Sequence, residues 1–285
     1  MSRGDVTVVR MVIYSMSQLR EKHSRRAIER LVREGALTRA GRWFVTPDEK
    51  DAIVLPLRSG CRPTCVTAAR HHGLWTPASS RLHAYRPRAA TLGSGWLAHG
   101  SHDRWPEPDP VASPALLLEH AARCLDPVEV GILADSALHL RRLEEADIAT
   151  VARRAPRPVR RVLARVDRRA ESGTESRVRL FFALKGVAVE TQVQIGGVGR
   201  VDLRVGRSWI IECDSRAHHD DREAYAKDRR RDKAAGVLGY VTTRLTYEDV
   251  EDSWPTTRSQ LLAILRTGEH LRPPTERARD RRRRR

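Results

Sequence analysis

Residues 189–214 read VETQVQI, GGVG, RVDLRV, GR and SWIIECD: three short apolar or alternating runs separated by glycine turns. Alternation over a handful of residues marks a half-buried strand, and glycine supplies the backbone that a tight turn needs. The stretch predicts strands over 189–195, 201–205 and 208–214, with turns at Gly196-Gly197 and Gly206-Arg207. The flanks extend the unit. TESRVRLFFALKG (174–186) predicts a helix capped by Thr174 and stopped by Gly186. HDDREAYAKDRRRDKAAGVLG (219–239) predicts a long helix ended by Gly239, YVTTRLTY (240–247) a fourth strand, and 248–265 a partly helical segment. The order is α-β-β-β-α-β-α, so the fold class is mixed α/β (α+β).

Two carboxylates ride on the middle strands. Counted from the turn, Val205 faces Ser208, and Asp202 then lies near Ile211, beside Glu212. Carboxylates a few ångströms apart repel unless a cation sits between them. Hard oxygen ligands without Cys or paired His select Mg2+ or Mn2+. Such an ion polarises a phosphoryl group and lowers the pKa of water. Asp214 follows on the strand face of Glu212, and Glu175 from the first helix completes an acidic set. Cys213 points to the opposite face and reads as core.

An acidic site of this kind suits an anionic partner, and the charge agrees. The net charge is +17, with Arg outnumbering Lys 48 to 5. The tail 271–285 holds eight Arg and two acids, so the rest of the chain keeps +11. Arginine grips phosphate bidentately and never loses its charge, and DNA is the expected partner.

The front of the chain offers a way to hold it. Ser17 caps a short helix, Ser24 caps SRRAIERLVREG, Gly35 stops it, and ALTRAGRWFVT makes two strands around Ala40-Gly41. Helix, turn, helix and two-stranded wing is the winged helix-turn-helix order, in which the second helix enters the major groove. Its polar face carries Arg25, Arg26, Glu29, Arg30 and Arg33. A preceding helix has room only in residues 6–14, unless the true start lies upstream. The expected divisions are 1–50 (winged-helix-like), 51–152 (mixed α/β), 153–170 (a basic connecting helix with Val159, Val162, Leu163 and Val166 on one face), 171–266 (the α-β-β-β-α-β-α unit with the acidic set) and 267–285 (a disordered basic tail).

In the middle region, 65–75 predicts a helix stopped by Gly73, 81–87 and 95–100 strands, and Ser113-Pro114 and Asp126-Pro127 helix starts. His71, His72, His83, His99, His102 and His120 fall here, with no pair at a ligand spacing, and they read as core or surface histidines. Cys61 and Cys65 have no second pair to complete a zinc site, and with Cys124 and Cys213 they read as free thiols of a reducing cytoplasm. No leader-like apolar segment and no membrane-length apolar run is seen, so a cytoplasmic, nucleoid-associated protein without a membrane partner is expected.

The residues also carry a resemblance. SGTESRVR (172–179), GVGRVDLRVG (197–206), IIECDSRAHHDDREAYAKDRRRD (210–232) and LGYVTTRLTYEDV (238–250) together resemble the PD-(D/E)xK nuclease superfamily, most of all the domains related to very-short-patch repair (Vsr) endonucleases. SRRAIERLVREGALTRAGRWFV and TAARHHGLW resemble AbiEi-type antitoxin and regulator proteins, which place a winged helix ahead of such a domain. The resemblance implies a restriction-endonuclease-like domain with Asp202 and Glu212 as metal ligands and Glu175 orienting metal-bound water. It puts Asp214, a further ligand or base, where the superfamily has lysine. Lys185, Lys227 or Arg216 could replace that lysine's charge. His218 or His219 falls where related enzymes use an acid or base, and Arg229, Arg230 and Arg231 lie where phosphate contacts are expected. Two functions follow: a metal-dependent DNA endonuclease, or an antitoxin-like regulator whose inactive nuclease-like domain scaffolds or forms a homodimer, with a cognate toxin as partner.

Overall fold

A computed structural model describes residues 13–46, 51–86, 95–100, 104–213, 222–275 and 278. The chain is mixed α/β and divides into two compact units, Met1–Cys124 and Leu125–Arg285.

The first unit opens with β1 (Ile13–Ser15), α1 (Met16–Lys22), α2 (Arg25–Arg33), β2 (Thr38–Ala40) and β3 (Trp43–Val45). Ser15, not Ser17, caps α1, in a capping box with Gln18 that satisfies two orphan amides at once. Ser24 caps α2 as expected, and Gly35 ends it in the left-handed region at φ 76°. The wing strands β2 and β3 pair around Gly41-Arg42, and β1 adds a third strand on the other side of β3. Residues 13–15 are therefore strand, not part of a reduced first helix; the remainder of that expected helix lies outside the described residues. Leu19, Ile28, Leu37 and Phe44 close a small core under these elements.

The same unit continues through α3 (Asp51–Arg58), β4 (Arg62–Pro63), α4 (Cys65–His71), β5 (Leu82–Tyr85), β6 (Trp96–His99) and α5 (Pro114–Ala121). β5 is the centre of a second sheet, antiparallel to β4 and parallel to β6. Ser113-Pro114 starts α5 by the predicted chemistry, the Ser113 hydroxyl accepting from Leu116 N.

The second unit begins with α6 (Pro127–His139), α7 (Glu145–Arg154) and α8 (Arg157–Leu163). The single basic helix expected over 153–170 is not formed. Ala155, ahead of Pro156, is extended, because proline disfavours helical geometry in the residue before it, so the helix breaks there. Of the expected apolar face, Val159, Val162 and Leu163 are buried, and α8 packs with α6 as part of the unit it was expected to lead into. Gly131, inside α6, marks the contact: a Cβ there would lie 2.5 Å from Val162 Cγ1 and 2.7 Å from Leu180 Cδ1. Gly→Ala normally stabilises a helix interior. Here overpacking wins, and Gly131→Ala is expected to lower stability by about 1–3 kcal/mol in chemical denaturation. A stabilised variant would show that the helices separate at no cost.

Then follow α9 (Gly173–Leu184), β7 (Val189–Ile195), β8 (Gly199–Val205), β9 (Trp209–Cys213), α10 (Arg222–Leu238), β10 (Val241–Leu245), α11 (Tyr247–Glu251) and α12 (Trp254–Arg266). The sheet order is β10-β9-β8-β7, with β10 parallel to β9 after the α10 crossover and the other pairs antiparallel. One face packs Leu203, Val205, Trp209 and Ile211 against Val178 and Phe182 of α9 and Leu261 of α12. The other packs Ile195, Val201 and Ile210 against Ala235 of α10.

The segment 267–285, expected to be disordered throughout, begins with ordered structure. A 3-10 turn at Glu269–Leu271 buries His270, whose carbonyl accepts from Arg207 N (2.8 Å) and Ser208 N (3.3 Å) in the β8–β9 turn. Those amides would otherwise lack partners, and this docking outweighs the charged composition of the segment.

Candidate acidic centre

Local sequence and one unusual backbone angle bring the acids together. The β8–β9 ladder pairs Leu203 with Ile211 and Val205 with Trp209 and ends there, one step short of Asp202 and Glu212, which lie next to its last pair. The expected register is one residue off. The turn holds Gly206, Arg207 and Ser208, with Gly206 at φ 60° and its Cα face against the His270 carbonyl. The two carboxylates interlock through the backbone. Asp202 N donates to Glu212 Oε2 (3.0 Å), and Cys213 N donates to Asp202 Oδ2 (2.9 Å).

Glu175 reaches the same place from α9. Ser172, not Thr174, caps this helix, which puts Glu175 at its third position. The helix start explains part of its role: its Oε2 accepts from Glu171 N at 2.9 Å. The rest is Gln192. Its Nε2 donates to Glu175 Oε1 (3.2 Å), to Glu175 Oε2 (3.3 Å) and to Asp202 Oδ1 (3.3 Å). Gln192 stands at φ 54°, a left-handed conformation that costs a non-glycine residue on the order of 1 kcal/mol or more. The ladder is interrupted there, opposite Asp202. The packing changes side at the same point: Leu203 and Val205 enter one core, Val201 the other. Gln192 was missed because nothing in VETQVQI distinguishes it from an ordinary strand residue.

The electrostatics are those of an acid cluster short of positive charge. Burial, reinforced by Asp202, pushes Glu175 up to about 8. Burial and Asp202 push Glu212 up to about 7, against the pull of Arg231 and Arg244. The folded chain thus holds protons that the unfolded chain has already released. Stability is present at low pH and falls as pH rises from the ordinary carboxylate value of 4.5 toward about 8. Tm of the metal-free protein is expected to decline across that window, and more shallowly in Glu175→Gln. Parallel slopes would remove Glu175 as the cause.

The other predicted site residues divide. Arg231, half-buried, turns toward the acids: its Nη2 donates to Glu212 Oε1 at 2.9 Å and to Arg200 O, and its Nε to Val198 O at 3.3 Å. Arg229 and Arg230 are exposed on α10, as are Arg25, Arg26 and Arg30 on α2. Lys185 sits over the Phe181 ring at the far end of α9, about 15 Å along the helix from Glu175, too far to stand in for a lysine. Cys213 is buried in the core as predicted. Asp214, Arg216, His218 and His219 lie outside the described residues, and Lys227 has no described side chain.

Beside Gln192 and Glu171 opens a cavity of about 360 Å3 lined also by His139, Arg141, Arg168 and Arg169. Arg141 holds φ 53° just past the end of α6, a place where helices usually put glycine.

His83, His99 and His120 are buried, as a core reading of the histidines has it, and two of them also meet cysteines. Cys65, His83, His99 and Cys124 converge, with one ligand atom from each within 4.8 Å of the others. They come from α4, β5, β6 and the chain past α5, so no local spacing announces them. No family model, curated protein or solved structure matches this chain.

Proposed function

We propose that the second unit is a divalent-metal-dependent nuclease domain of the PD-(D/E)xK type that hydrolyses DNA phosphodiesters. The observation that carries this reading is the interlock of Asp202 and Glu212 at the end of the β8–β9 ladder, with Glu175 joined to Asp202 through Gln192. The donors suit Mg2+ or Mn2+: all are oxygens, and Gln192 Oε1 is a further buried oxygen without a hydrogen bond. The ion would supply Lewis-acid polarisation of the phosphoryl group and the charge that lets the acids ionise together.

The chain's own groups do the rest. Asp202 and Glu212 hold the cation, each fixed by a backbone amide so that little reorganisation is needed. Glu175, whose carboxyl is driven toward neutral pH, takes the proton from the attacking water. Arg231 supplies fixed positive charge beside Glu212, where the superfamily pattern has a lysine. The arginine-lined cavity next to Gln192 receives the phosphate backbone. In the first unit, α2 presents Arg25, Arg26 and Arg30 as the major-groove helix of a winged helix.

A second reading has its own observation. The Arg231 guanidinium already sits against Glu212, as it would in a site that no longer takes a metal. That reading makes the protein an antitoxin-like DNA-binding regulator with a toxin partner. A nicking assay on supercoiled plasmid decides between them. The nuclease reading predicts relaxed and linear products with Mg2+ or Mn2+ and none with chelator. Intact plasmid under every metal, alongside salt-sensitive DNA binding, overturns it in favour of the regulator.

A further inference from the structure

We propose that Cys65, His83, His99 and Cys124 form a closed tetrahedral zinc site that holds the first unit together. Two thiols and two imidazoles make a soft-to-borderline donor set, which selects Zn2+ and is wrong for the hard Mg2+ of the acidic centre. The donors come from four places: the first residue of α4, β5, the last residue of β6, and the chain just past α5. The pairing of β5 with β6 sets His83 opposite Leu97 and Tyr85 opposite His99, so the two histidines share a face two residues apart. Their ring nitrogens, His83 Nδ1 and His99 Nε2, lie 3.2 Å apart, and Cys124 Sγ is 3.6 Å from His83 Nδ1. Zinc bonds of about 2.0–2.3 Å place tetrahedral ligand atoms roughly 3.3–3.8 Å apart, so the site needs only slight contraction around the ion.

The surroundings are built for orientation. His83 is held at its other nitrogen by Ser79 Oγ at 3.3 Å, the kind of outer contact that aims a ligating imidazole. His83 N donates to Thr67 Oγ1 (2.8 Å) and Thr64 N to His83 O (3.0 Å), which fixes the start of α4 against β5. Cys65 itself is held at φ 48°, a strained angle for a cysteine, and that angle accompanies its place in the cluster. His99 stacks on His120, whose Nδ1 meets Thr64 Oγ1 at 2.7 Å. Cys65, His83 and His99 are buried and Cys124 half-buried. With four protein ligands, no position is left for water or substrate, so the ion is structural. Both sulfurs would bind as thiolates, and two thiolates balance the charge of Zn2+, leaving a neutral centre that burial penalises little.

The test uses the full chain, purified without chelator. Metal analysis is expected to find about one zinc per chain, and Co2+ exchanged into the site should show the ligand-field and thiolate charge-transfer bands of a tetrahedral S2N2 centre. Cys124→Ser and His99→Ala should each weaken zinc binding by at least about tenfold. Cys61→Ser, at a buried thiol outside the cluster, should leave stoichiometry unchanged. Asp202→Ala should also keep its zinc, which separates this inference from the nuclease reading. Wild-type protein without stoichiometric zinc and without the cobalt thiolate bands overturns the proposal whether or not the variants fold. Equal zinc binding by wild type and Cys124→Ser, or a Cys65–Cys124 disulfide in the protein as isolated under reducing conditions, overturns it as well.

Discussion

Asp202→Ala is expected to abolish metal-dependent plasmid cleavage, a loss of about three orders of magnitude or more. That is the scale of the several kcal/mol of transition-state charge stabilisation an active-site cation supplies. The side chain has three jobs at once. On the proposed reading it offers a ligand oxygen, and it also accepts from Cys213 N and shares the Gln192 amide with Glu175. DNA affinity in metal-free buffer should be unchanged or slightly tighter, because the substitution removes a negative charge near the arginine-lined cavity. Gel-shift and nicking assays on the same preparation separate the two effects. Cleavage that survives the substitution would remove Asp202 from the site.

The largest effect on stability is expected at Asp135→Ala. Asp135 and Arg179 form a buried ion pair at 2.6 Å, which ties α6 to α9. Asp135 Oδ1 also accepts from Asp167 N (2.8 Å), and Arg179 Nη1 donates to Arg165 O (2.5 Å). Replacing a complete buried pair with apolar residues can be harmless, but removing one partner strands the other charge away from water. The expected cost is about 3–5 kcal/mol, or on the order of 10 °C in Tm. Burial holds the Asp135 carboxyl above the ordinary range while Arg179 pulls it down, so Asp135→Asn should cost less than alanine by keeping acceptor and shape. A thermal melt that ranks asparagine below alanine would contradict this account.

Features set by local chemistry were legible in the sequence. Alternation and glycine turns located β7 to β9, and Ser24, Ser113 and Asp126 start their helices by direct capping contacts. Features set by distant groups were not. The β8–β9 register depends on a three-residue turn held by the His270 carbonyl, in a segment whose composition suggested disorder. Pro156 splits a run that helical spacing alone would have kept whole. In the acidic centre, Asp202, Glu212 and Glu175 could be singled out as carboxylates on neighbouring elements. Gln192 depends on a backbone angle, and Arg231 on how α10 lies against β8 and β9. The Cys/His cluster has no spacing signature: its two histidines lie 16 positions apart on different strands, and its cysteines come from the start of α4 and the chain past α5.

The central claim is that Asp202 and Glu212 hold a divalent cation. Calorimetric titration of the full chain with Mn2+, in buffers of different ionisation enthalpy, tests it most directly. Glu175 and Glu212 hold protons near neutral pH in the metal-free chain, pushed up to about 8 and about 7 by burial. Mn2+ binding should therefore release protons and tighten as pH rises from about 6 to about 8. The predicted result is a saturable site with proton release that disappears in Asp202→Asn. No saturable binding, or the same isotherm and the same proton count in Asp202→Asn, would contradict the claim.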